Sequence, residues 1–387
     1  MKNNYKHFPL SIALASFILF MIMPSCSNHH DKSKNQANSS SSADQAETTG
    51  DPGLTPGTGN TRLDSQAVIT GNNAGNPGTA DSTNASYTNS FSLKEKGLFE
   101  PQNKAVILFS DSADNGLILF KTKLQVNTDG TPISYHPYDL TGSEKAINTI
   151  GNAIAVYKNG SQTNLCLSRD TYSEALDVFK KFRDSDFETI PEGYKIIWKN
   201  VLIPEKINGI EKPCIIKTGE YKGYFSSATS LTNGLSGDKG ECECNNQVNP
   251  LKVPALVLAG GSDNIVRKFG ANTGDLLVAY NPENKNIVYA VINDLGPKHN
   301  LGEGSVLLNM KLLNITEFPK TRKDTYKLAT PGDIVIAILP GSKGYDLQRP
   351  YTAENIHERV TKWLSKAGFA TENEFIGFIE KNKEELK

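Results

Sequence analysis

Short apolar stretches separated by turn-forming residues dominate the chain beyond residue 98. Val, Ile, Leu and aromatic side chains run together or alternate with polar ones, and clusters of Pro, Gly and Asn separate the runs. This pattern is typical of β-strands joined by turns. The predicted strands comprise residues 105–109, 117–123, 153–157, 194–198, 253–259, 276–280, 287–292 and 333–339.

Helical periodicity marks fewer segments. Residues 172–183 and 353–366 repeat apolar positions at helical spacing, and the second segment follows a good N-cap residue, Thr352. Thr371 with Glu374 predicts a capping box at the start of a last short helix. Because the strands outnumber the helices and do not alternate with them regularly, we expect a β-dominated α+β fold. We expect its core to be barrel-like, of which a double-psi barrel is one form, with the helices at the periphery.

The amino terminus has the pattern of a secretory signal. Lysines precede an apolar run at residues 8–23, which is shorter than the roughly 20 apolar residues that span a bilayer. We therefore assign residues 1–25 as a signal peptide. Cys26 ends the stretch Met-Pro-Ser-Cys, which resembles a bacterial lipoprotein box although Met and Pro are unusual in it. We expect lipidation of Cys26 and a membrane anchor at the cell surface or periplasmic face, with plain secretion and an uncleaved signal anchor as alternatives.

A polar segment follows the signal, at residues 26–97. It is rich in Ser, Asn, Thr and Gly and nearly lacks large apolar residues, so burial could not offset the entropy of ordering it. We expect a disordered tether in which His29 and His30 are solvated rather than bound to metal. Signal and tether explain why hydrophobic residues make up only 37% of the chain and the mean hydropathy is -0.41. Residues 98–387 are then a single folded domain.

The charge balance excludes one class of function. Lys and Arg total 41 and Asp and Glu total 42, which gives a net charge of -1. A dedicated nucleic-acid-binding protein carries an excess of basic residues. We therefore expect no nucleic-acid partner.

The cysteines beyond Cys26 are Cys166, Cys214, Cys242 and Cys244. An even number in an exported protein favours one or two disulfides, with the pairing left open. Cys242 and Cys244 are too close in sequence to pair with each other without strain. A zinc site built from the four is the alternative, but the spacing offers no matching second pair. We expect neither a metal nor another cofactor.

Residues 274–313 hold the most informative chemistry. Apolar alternation predicts that Asp294 ends a strand, on the same face as Val288. A loop bounded by glycines then leads to Glu303, just before a helix that opens at Ser305. Two carboxylates that face each other across a groove are what hydrolysis of a glycosidic bond needs. The alternative is structural: an Asp that caps a turn, and a Glu stabilised by the helix dipole.

Several further motifs follow one another along the chain. They are Val-Asn-Thr-Asp-Gly-Thr-Pro-Ile-Ser-Tyr-His-Pro at 126–137, Gly-Tyr-Phe-Ser-Ser-Ala-Thr-Ser-Leu at 223–231, the apolar strand opening with Val-Pro at 253–259, Gly-Asp at 274–275, Ala-Val-Ile-Asn-Asp-Leu-Gly-Pro at 290–297, Asn-Leu-Gly-Glu-Gly-Ser at 300–305 and Ile-Ala-Ile-Leu-Pro-Gly-Ser-Lys at 336–343. In this order the motifs resemble glycoside hydrolase family 75, the fungal-type chitosanases. The match covers most of residues 118–365, with Ser134 where that family usually has Ala.

The resemblance implies an inverting hydrolase in which Asp294 is the general base and Glu303 the general acid. Inversion requires the two carboxyl groups to lie about 6.5–9.5 Å apart, which leaves room for water. A Glu close to a helix amino terminus is stabilised as an anion, which opposes an acid role. We therefore expect burial, or repulsion from Asp294, to raise the pKa of Glu303.

The same resemblance implies a set of substrate contacts. Chitosan is a polycation, so acidic and aromatic residues suit its binding. Each candidate also has a structural interpretation, for example a hairpin turn at Asp129, a structural hydrogen bond at His136 and a strand start at Asp275. The candidate residues are Asp129, Tyr135, His136, Thr229 and Asp275.

The expected partner is thus a polysaccharide, chitosan or a related amino-sugar polymer. A hydrolase of another β-linked amino-sugar polymer, a non-catalytic glycan-binding lipoprotein and a tethered surface protein of structural role are the alternatives. Retention of both Asp294 and Glu303 favours an enzyme over the last two.

Overall fold

The computed structural model describes residues 90–199, 201–207, 209–235 and 242–386. The signal peptide, Cys26, the two histidines and nearly all of the expected tether lie outside the described residues. Within them, none of the helices has the length and apolar character that crossing a membrane requires.

The described residues form thirteen strands, which are distributed over three sheets. In chain order they are β1 Ser92–Phe99, β2 Lys104–Ser110, β3 Gly116–Thr122, β4 Gln125–Asn127, β5 Ile154–Lys158, β6 Tyr194–Trp198, β7 Pro204–Ile207, β8 Ile210–Pro213, β9 Ala255–Ala259, β10 Leu276–Tyr280, β11 Ile287–Gly296, β12 Glu303–Ser305 and β13 Ile334–Leu339. The main sheet has nine strands in the order β1-β2-β3-β13-β10-β11-β9-β12-β4. Strands β5 and β6 form one hairpin-like pair, and β7 and β8 another.

Seven α-helices accompany the strands in the described part of the chain. They are α1 Ile150–Ala153, α2 Arg169–Asp184, α3 Ile265–Lys268, α4 Val306–Leu313, α5 Arg322–Tyr326, α6 Ala353–Lys366 and α7 Glu372–Asn382. Helices and strands contribute similar shares, so the fold is α+β without the expected predominance of strands. Strands β1 and β4 are the two ends of the main sheet, which forms no closed barrel within the described residues.

Both faces of the main sheet are buried, which explains the continuous apolar runs in its central strands. Strand β13 has the sequence Ile-Val-Ile-Ala-Ile-Leu, and every residue in it is buried. On one face Val335, Ala337 and Leu339 pack with the apolar sides of α6 and α7. On the other face Ile336 and its neighbours pack with residues of α3 and α4.

The start of the folded domain differs from the prediction. Strand β1 begins at Ser92, six residues before the expected boundary at residue 98. Its sequence is too polar to predict a strand, and pairing with β2 is what orders it.

One helix cap also differs from the prediction. Thr371 caps α7 as expected, but Glu374 accepts a hydrogen bond from the N–H of Ala370 at 2.8 Å. The reciprocal capping box is therefore absent there, whereas Thr352 and Asn355 form one at α6.

A large insert separates β4 from β9 and has an apolar core of its own. This insert, residues 128–254, contains α1, α2 and the smaller sheets. Aromatic rings of Phe179, Phe182, Phe187 and Phe225 pack edge to face at its centre. The carboxylate site described below lies where this insert meets the main sheet.

One disulfide stabilises the insert. Cys214 and Cys242 are bonded, while Cys166 and Cys244 are free thiols. The carboxylate of Glu205 lies beside the bonded sulfurs. Because zinc is bound by thiolates, the zinc site built from four cysteines is wrong.

Candidate active site

A β-bulge in β11 determines where Asp294 points. Strand β11 runs parallel to β9, with Ile292 opposite Leu256 and Asp294 opposite Val257. Asn293 is therefore an extra residue, and the side chains beyond it change face. The prediction that Asp294 shares the face of Val288 is wrong, because simple alternation takes no account of the bulge.

Glu303 lies in the same row of residues. On the other side of β9, Glu303 of β12 is also paired with Val257. Directly paired residues point to the same face of a sheet, so both carboxylates project from one face with a single strand between them. Two strand spacings place their Cα atoms about 9.5 Å apart.

Glu303 is held by amide groups on both of its oxygen atoms. Asn300 donates from Nδ2 to Oε1 at 2.7 Å, and Asn127 donates from Nδ2 to Oε2 at 3.2 Å. Burial raises the pKa of Glu303, the two amide hydrogen bonds oppose the rise, and the charge of Asp294 adds to it. A helix amino terminus was expected to stabilise the Glu303 anion and so to oppose an acid role. That conflict is removed, because Glu303 lies within β12 and the N-cap of α4 is Ser305.

The lack of a side chain at Gly296 leaves space for the side chain of Val257, next to the Glu303 carboxylate. A Cβ atom added to Gly296 would lie 2.9 Å from Cγ1 of Val257 and 3.6 Å from Oε2 of Glu303. We expect Gly296→Ala to displace the side chain of Val257, which lies between Asp294 and Glu303 in the row, to destabilise the fold by about 1–3 kcal/mol and to lower activity several-fold. Thermal unfolding and steady-state kinetics measure the two effects.

Gly344→Ala is the matched control, because no heavy atom lies within 4 Å of an added Cβ at that position. Unchanged activity in Gly296→Ala would show that the arrangement of the two carboxylates does not depend on this space.

Asp294 is oriented by the insert as well as by its own strand. Its Oδ1 accepts hydrogen bonds from the backbone N–H of Ser230 at 3.1 Å, from the Ser230 hydroxyl, and from the N–H of Leu295 at 2.8 Å. Asp294 is half-buried and Ser230 is exposed. The sequence motif directed attention to the neighbouring Thr229 and missed Ser230.

Asp129 is a third carboxylate at this site. Its Oδ1 accepts a hydrogen bond from the hydroxyl of Tyr135 at 2.6 Å. Burial raises the pKa of Asp129 to about 7, with Asp294 and Glu303 adding to the rise while Tyr135 and Lys199 oppose it. Asp129 and Tyr135, which belong to one sequence motif, therefore contribute directly to the electrostatics of the site.

The raised pKa of Asp129 predicts how its effect on stability varies with pH. An unfolded Asp titrates at about 4, whereas Asp129 in the folded protein titrates at about 7, so the folded state holds this proton more tightly. The stabilisation is complete below about pH 4 and is lost as the pH rises through about 7. We expect Asp129→Asn to gain Tm relative to the wild type between about pH 5 and about pH 8. A Tm difference that does not change with pH in calorimetry would contradict this.

The remaining candidate contacts have mainly structural environments. Tyr135, Thr229 and Asp275 are almost fully buried. The hydroxyl of Thr229 bonds the carbonyl of Leu231, and Asp275 accepts the N–H of Lys343 at 3.0 Å. These contacts favour the structural interpretation for Thr229 and Asp275.

His136 is half-buried, and its ring meets that of Tyr224 edge to face at 4.8 Å. Its Nδ1 accepts the backbone N–H of Tyr138 at 3.1 Å. Burial, helped by the charge of Lys145, lowers the pKa of His136. Its ring also lies 6.1 Å from that of the exposed Tyr138, so His136 remains available as part of an aromatic surface.

Two carboxylates on one sheet face, with fixed orientations and different environments, can divide the tasks of a general acid and a general base. Burial favours the protonated form of Glu303, and hydrogen bonds hold Asp294 where it can orient water. No protein-family model matches the chain, and no curated protein matches it. The geometry of the site and the motifs in the sequence are therefore the basis for assigning its chemistry.

Proposed function

We propose that this protein is a glycoside hydrolase that cleaves β-1,4 glucosaminyl linkages within chitosan and inverts the anomeric centre. The observation that carries the proposal is the row Glu303–Val257–Asp294, which sets the two carboxylates on one face with one strand between them. That arrangement is consistent with the wider carboxyl separation of inverting enzymes.

In this mechanism Glu303 donates a proton to the glycosidic oxygen as the bond to the anomeric carbon breaks. Asp294 accepts a proton from a water molecule, whose oxygen attacks that carbon from the opposite side of the ring. Ser230 and the N–H of Leu295 hold Asp294 in one orientation, so the base is aligned before the substrate binds. Each cycle consumes one water, and a proton must return from Asp294 to Glu303 through solvent.

Local charge supports a cationic polymer as substrate. Asp129, Asp294 and Glu303 act on one another electrostatically although the whole chain is almost neutral. Asp294 must be ionised to act as the base, and its negative charge attracts the ammonium groups of chitosan more than the acetylated units of chitin.

We propose membership of glycoside hydrolase family 75, with the barrel-like, double-psi arrangement expected for its core. The loop before β12 supports such curvature, because Thr122 at the end of β3 donates a hydrogen bond to the carbonyl of Leu301 at 2.6 Å. We also propose an extracytoplasmic location, by lipid on Cys26 or by secretion, and an active site that needs no cofactor.

The test is release of reducing sugar by the full chain from chitosan, acetylated chitin and peptidoglycan, with product anomers followed by proton NMR. We expect release from chitosan and initial formation of the α-anomer. Release from chitin or peptidoglycan alone would reassign the substrate to another amino-sugar polymer. No release from any of the three would overturn the enzymatic proposal, and initial β-anomer would overturn inversion.

A further inference from the structure

The turn between β1 and β2 contacts the loop that precedes Glu303. Glu100–Gln102 form a short helical turn, which Asn103 closes by donating its N–H to the carbonyl of Glu100 at 3.1 Å. Asn103 has a φ of 50°, in the left-handed region that asparagine tolerates better than most residues. Gln102 is therefore carried on a turn of defined shape, and its side chain is half-buried.

Gln102 binds the loop through both atoms of its amide. Its Oε1 accepts the backbone N–H of Leu301 at 2.9 Å, and its Nε2 donates to Oδ1 of Asn300 at 3.1 Å. The carbonyl of Leu301 accepts from Thr122, and the Leu301 side chain is fully buried. The backbone next to Asn300 is thus fixed, and Gln102 adds a contact to the Asn300 side chain itself.

The N–H of Leu301 determines which way both amides face. A backbone N–H can only donate, so the atom of Gln102 that meets it must be the oxygen, and the Gln102 nitrogen must face Asn300. Asn300 then turns its oxygen toward Gln102 and its nitrogen toward Oε1 of Glu303, to which it donates at 2.7 Å.

The other oxygen of Glu303 meets a donor for the same kind of reason. Oδ1 of Asn127 accepts the backbone N–H of Asp129 at 2.9 Å, which leaves Nδ2 of Asn127 to donate to Oε2 of Glu303. A backbone N–H therefore sets the orientation of each amide that contacts the Glu303 carboxylate.

We propose that Gln102 is a positioning residue that keeps the N–H of Asn300 turned toward the general acid Glu303, an inference that rests on the proposed function. An amide nitrogen cannot accept a proton, so protonated Glu303 keeps its proton for the glycosidic oxygen. As that proton leaves, negative charge develops on the carboxylate and the hydrogen bonds from Asn300 and Asn127 strengthen. Gln102 precedes residues 118–365, so the family motifs gave no reason to consider it.

Other charged groups surround Glu303 but are common to all the variants below. Asp294 on β11 and Asp129 in the insert interact with it electrostatically, and Lys104 on β2 donates to the carbonyl of Leu301 at 3.5 Å. Strands β4 and β9, which flank β12, carry no charged residue. The charged or titratable side chains of the adjoining loop, strand end and helix are exposed: Lys123, Lys298, His299 and Lys311.

The decisive variant is Gln102→Met, which keeps the length of the side chain and adds no charge. Asn300 can then turn its oxygen toward protonated Glu303, which stabilises the neutral acid. We expect the pKa of Glu303 to rise by about one unit, the effect of one hydrogen bond to a charged group. Carboxyl carbons of labelled Glu are titrated by NMR in the full chain, and the Glu303 signal is assigned by its loss in Glu303→Gln. An unchanged pKa overturns the proposal.

Kinetics of Gln102→Met give a second readout. The alkaline limb of kcat/KM on chitosan should move to higher pH, and kcat below that limb should fall several-fold because Glu303 is a weaker acid. A glucosaminide whose aryl leaving group departs without a proton should be cleaved at close to the wild-type rate. Equal losses on the two substrates overturn the proposal.

Asn300→Ala completes a double-mutant cycle. This variant removes the donor itself, so it should raise the pKa of Glu303 about as much as Gln102→Met does. Adding Gln102→Met to Asn300→Ala should then change the Glu303 pKa no further, because Gln102 acts through Asn300. Additive shifts overturn the proposal.

Asn264→Ala is the matched control for loss of an amide that holds a loop through both of its atoms. Asn264 accepts the N–H of Arg267 at 3.1 Å and donates to the carbonyl of Gly261 at 2.7 Å, and it does not contact Glu303. We expect it to lose Tm and to leave the pKa of Glu303 unchanged. A rise equal to that in Gln102→Met would show that loosening any loop suffices and would overturn the proposal.

Gln102→Glu gives a further test if Gln102→Met does not fold, because a carboxylate still accepts the N–H of Leu301. Neither of its oxygens donates, so Asn300 must turn its N–H toward residue 102 and its oxygen toward Glu303. We expect the pKa of Glu303 to rise, and to rise less when Asn300→Ala is also present, since only the added charge then acts. Equal rises in the two backgrounds overturn the proposal.

Failure of this proposal and failure of the proposed function give different results. A wild type that releases no sugar from any polymer overturns the proposed function. The NMR titrations still decide whether Gln102 acts on Glu303 through Asn300.

Discussion

Asp294→Asn is expected to lower kcat on chitosan by about 10²–10⁴-fold, because an amide cannot accept the proton of the attacking water. Asparagine keeps an oxygen that can accept from Ser230 and Leu295, so the fold and the position of the side chain should be retained. The Tm is therefore expected to change little. Steady-state kinetics with reducing-sugar detection measure the loss, and binding of chitosan oligomers by calorimetry should remain close to that of the wild type.

Asp333→Asn is the control for Asp294→Asn, since Asp333 is an exposed carboxylate just before β13. It should leave kcat unchanged. A kcat within a few-fold of wild type in Asp294→Asn would remove this residue from the role of base.

Glu303→Gln is expected to lose a similar factor on chitosan for a different reason. Glutamine cannot protonate the leaving oxygen, whose departure then requires an unassisted alkoxide. A glucosaminide with an activated aryl leaving group needs no such proton. The variant should therefore retain much more activity on that substrate than on chitosan, whereas Asp294→Asn should lose activity on both.

The pH dependence gives a second readout for Glu303. Burial raises its pKa, so the protonated form persists to higher pH than for an exposed Glu, and activity should fall once the pH exceeds that pKa. Glu303→Gln should lack this alkaline limb. Glu317→Gln, at an exposed residue paired with Lys320, should retain both the limb and kcat. Equal losses on chitosan and on the activated substrate would contradict the acid role of Glu303.

The strands of the main sheet could be predicted where both faces are buried. Residues 276–280 and 333–339 are almost continuously apolar, and β10 and β13 lie within a residue of these bounds. Strands β4 and β12 have three residues each and could not be predicted, because their order comes from pairing with distant strands. Whether the sheet closes into a barrel depends on the same long-range pairing. The number of strands in the sequence therefore could not predict whether the core is a barrel.

The site was predicted in part for similar reasons. Asp294 and Glu303 follow recognisable strand and loop patterns, so they could be identified as a pair. The bulge at Asn293 leaves no mark in the alternation of apolar residues, and it reverses the face that Asp294 occupies. Asn127, Asn300 and Ser230 could not be assigned, since amide and hydroxyl groups are common in loops and their contacts are set by tertiary structure.

The insert between β4 and β9 separates the residues that surround the site from the carboxylate pair on the main sheet, so substitutions can accumulate in one part without changing the other. The proposed acid and base lie on the two strands that flank β9, while Ser230 and Asp129 belong to the insert. Ser226 donates its N–H to the carbonyl of Cys214 at 2.8 Å, so the disulfide-bonded region is joined to the segment that orients the base. Under the proposed function, substitutions in the insert can thus alter which polymer is accepted, while the proposed acid and base on the sheet stay the same.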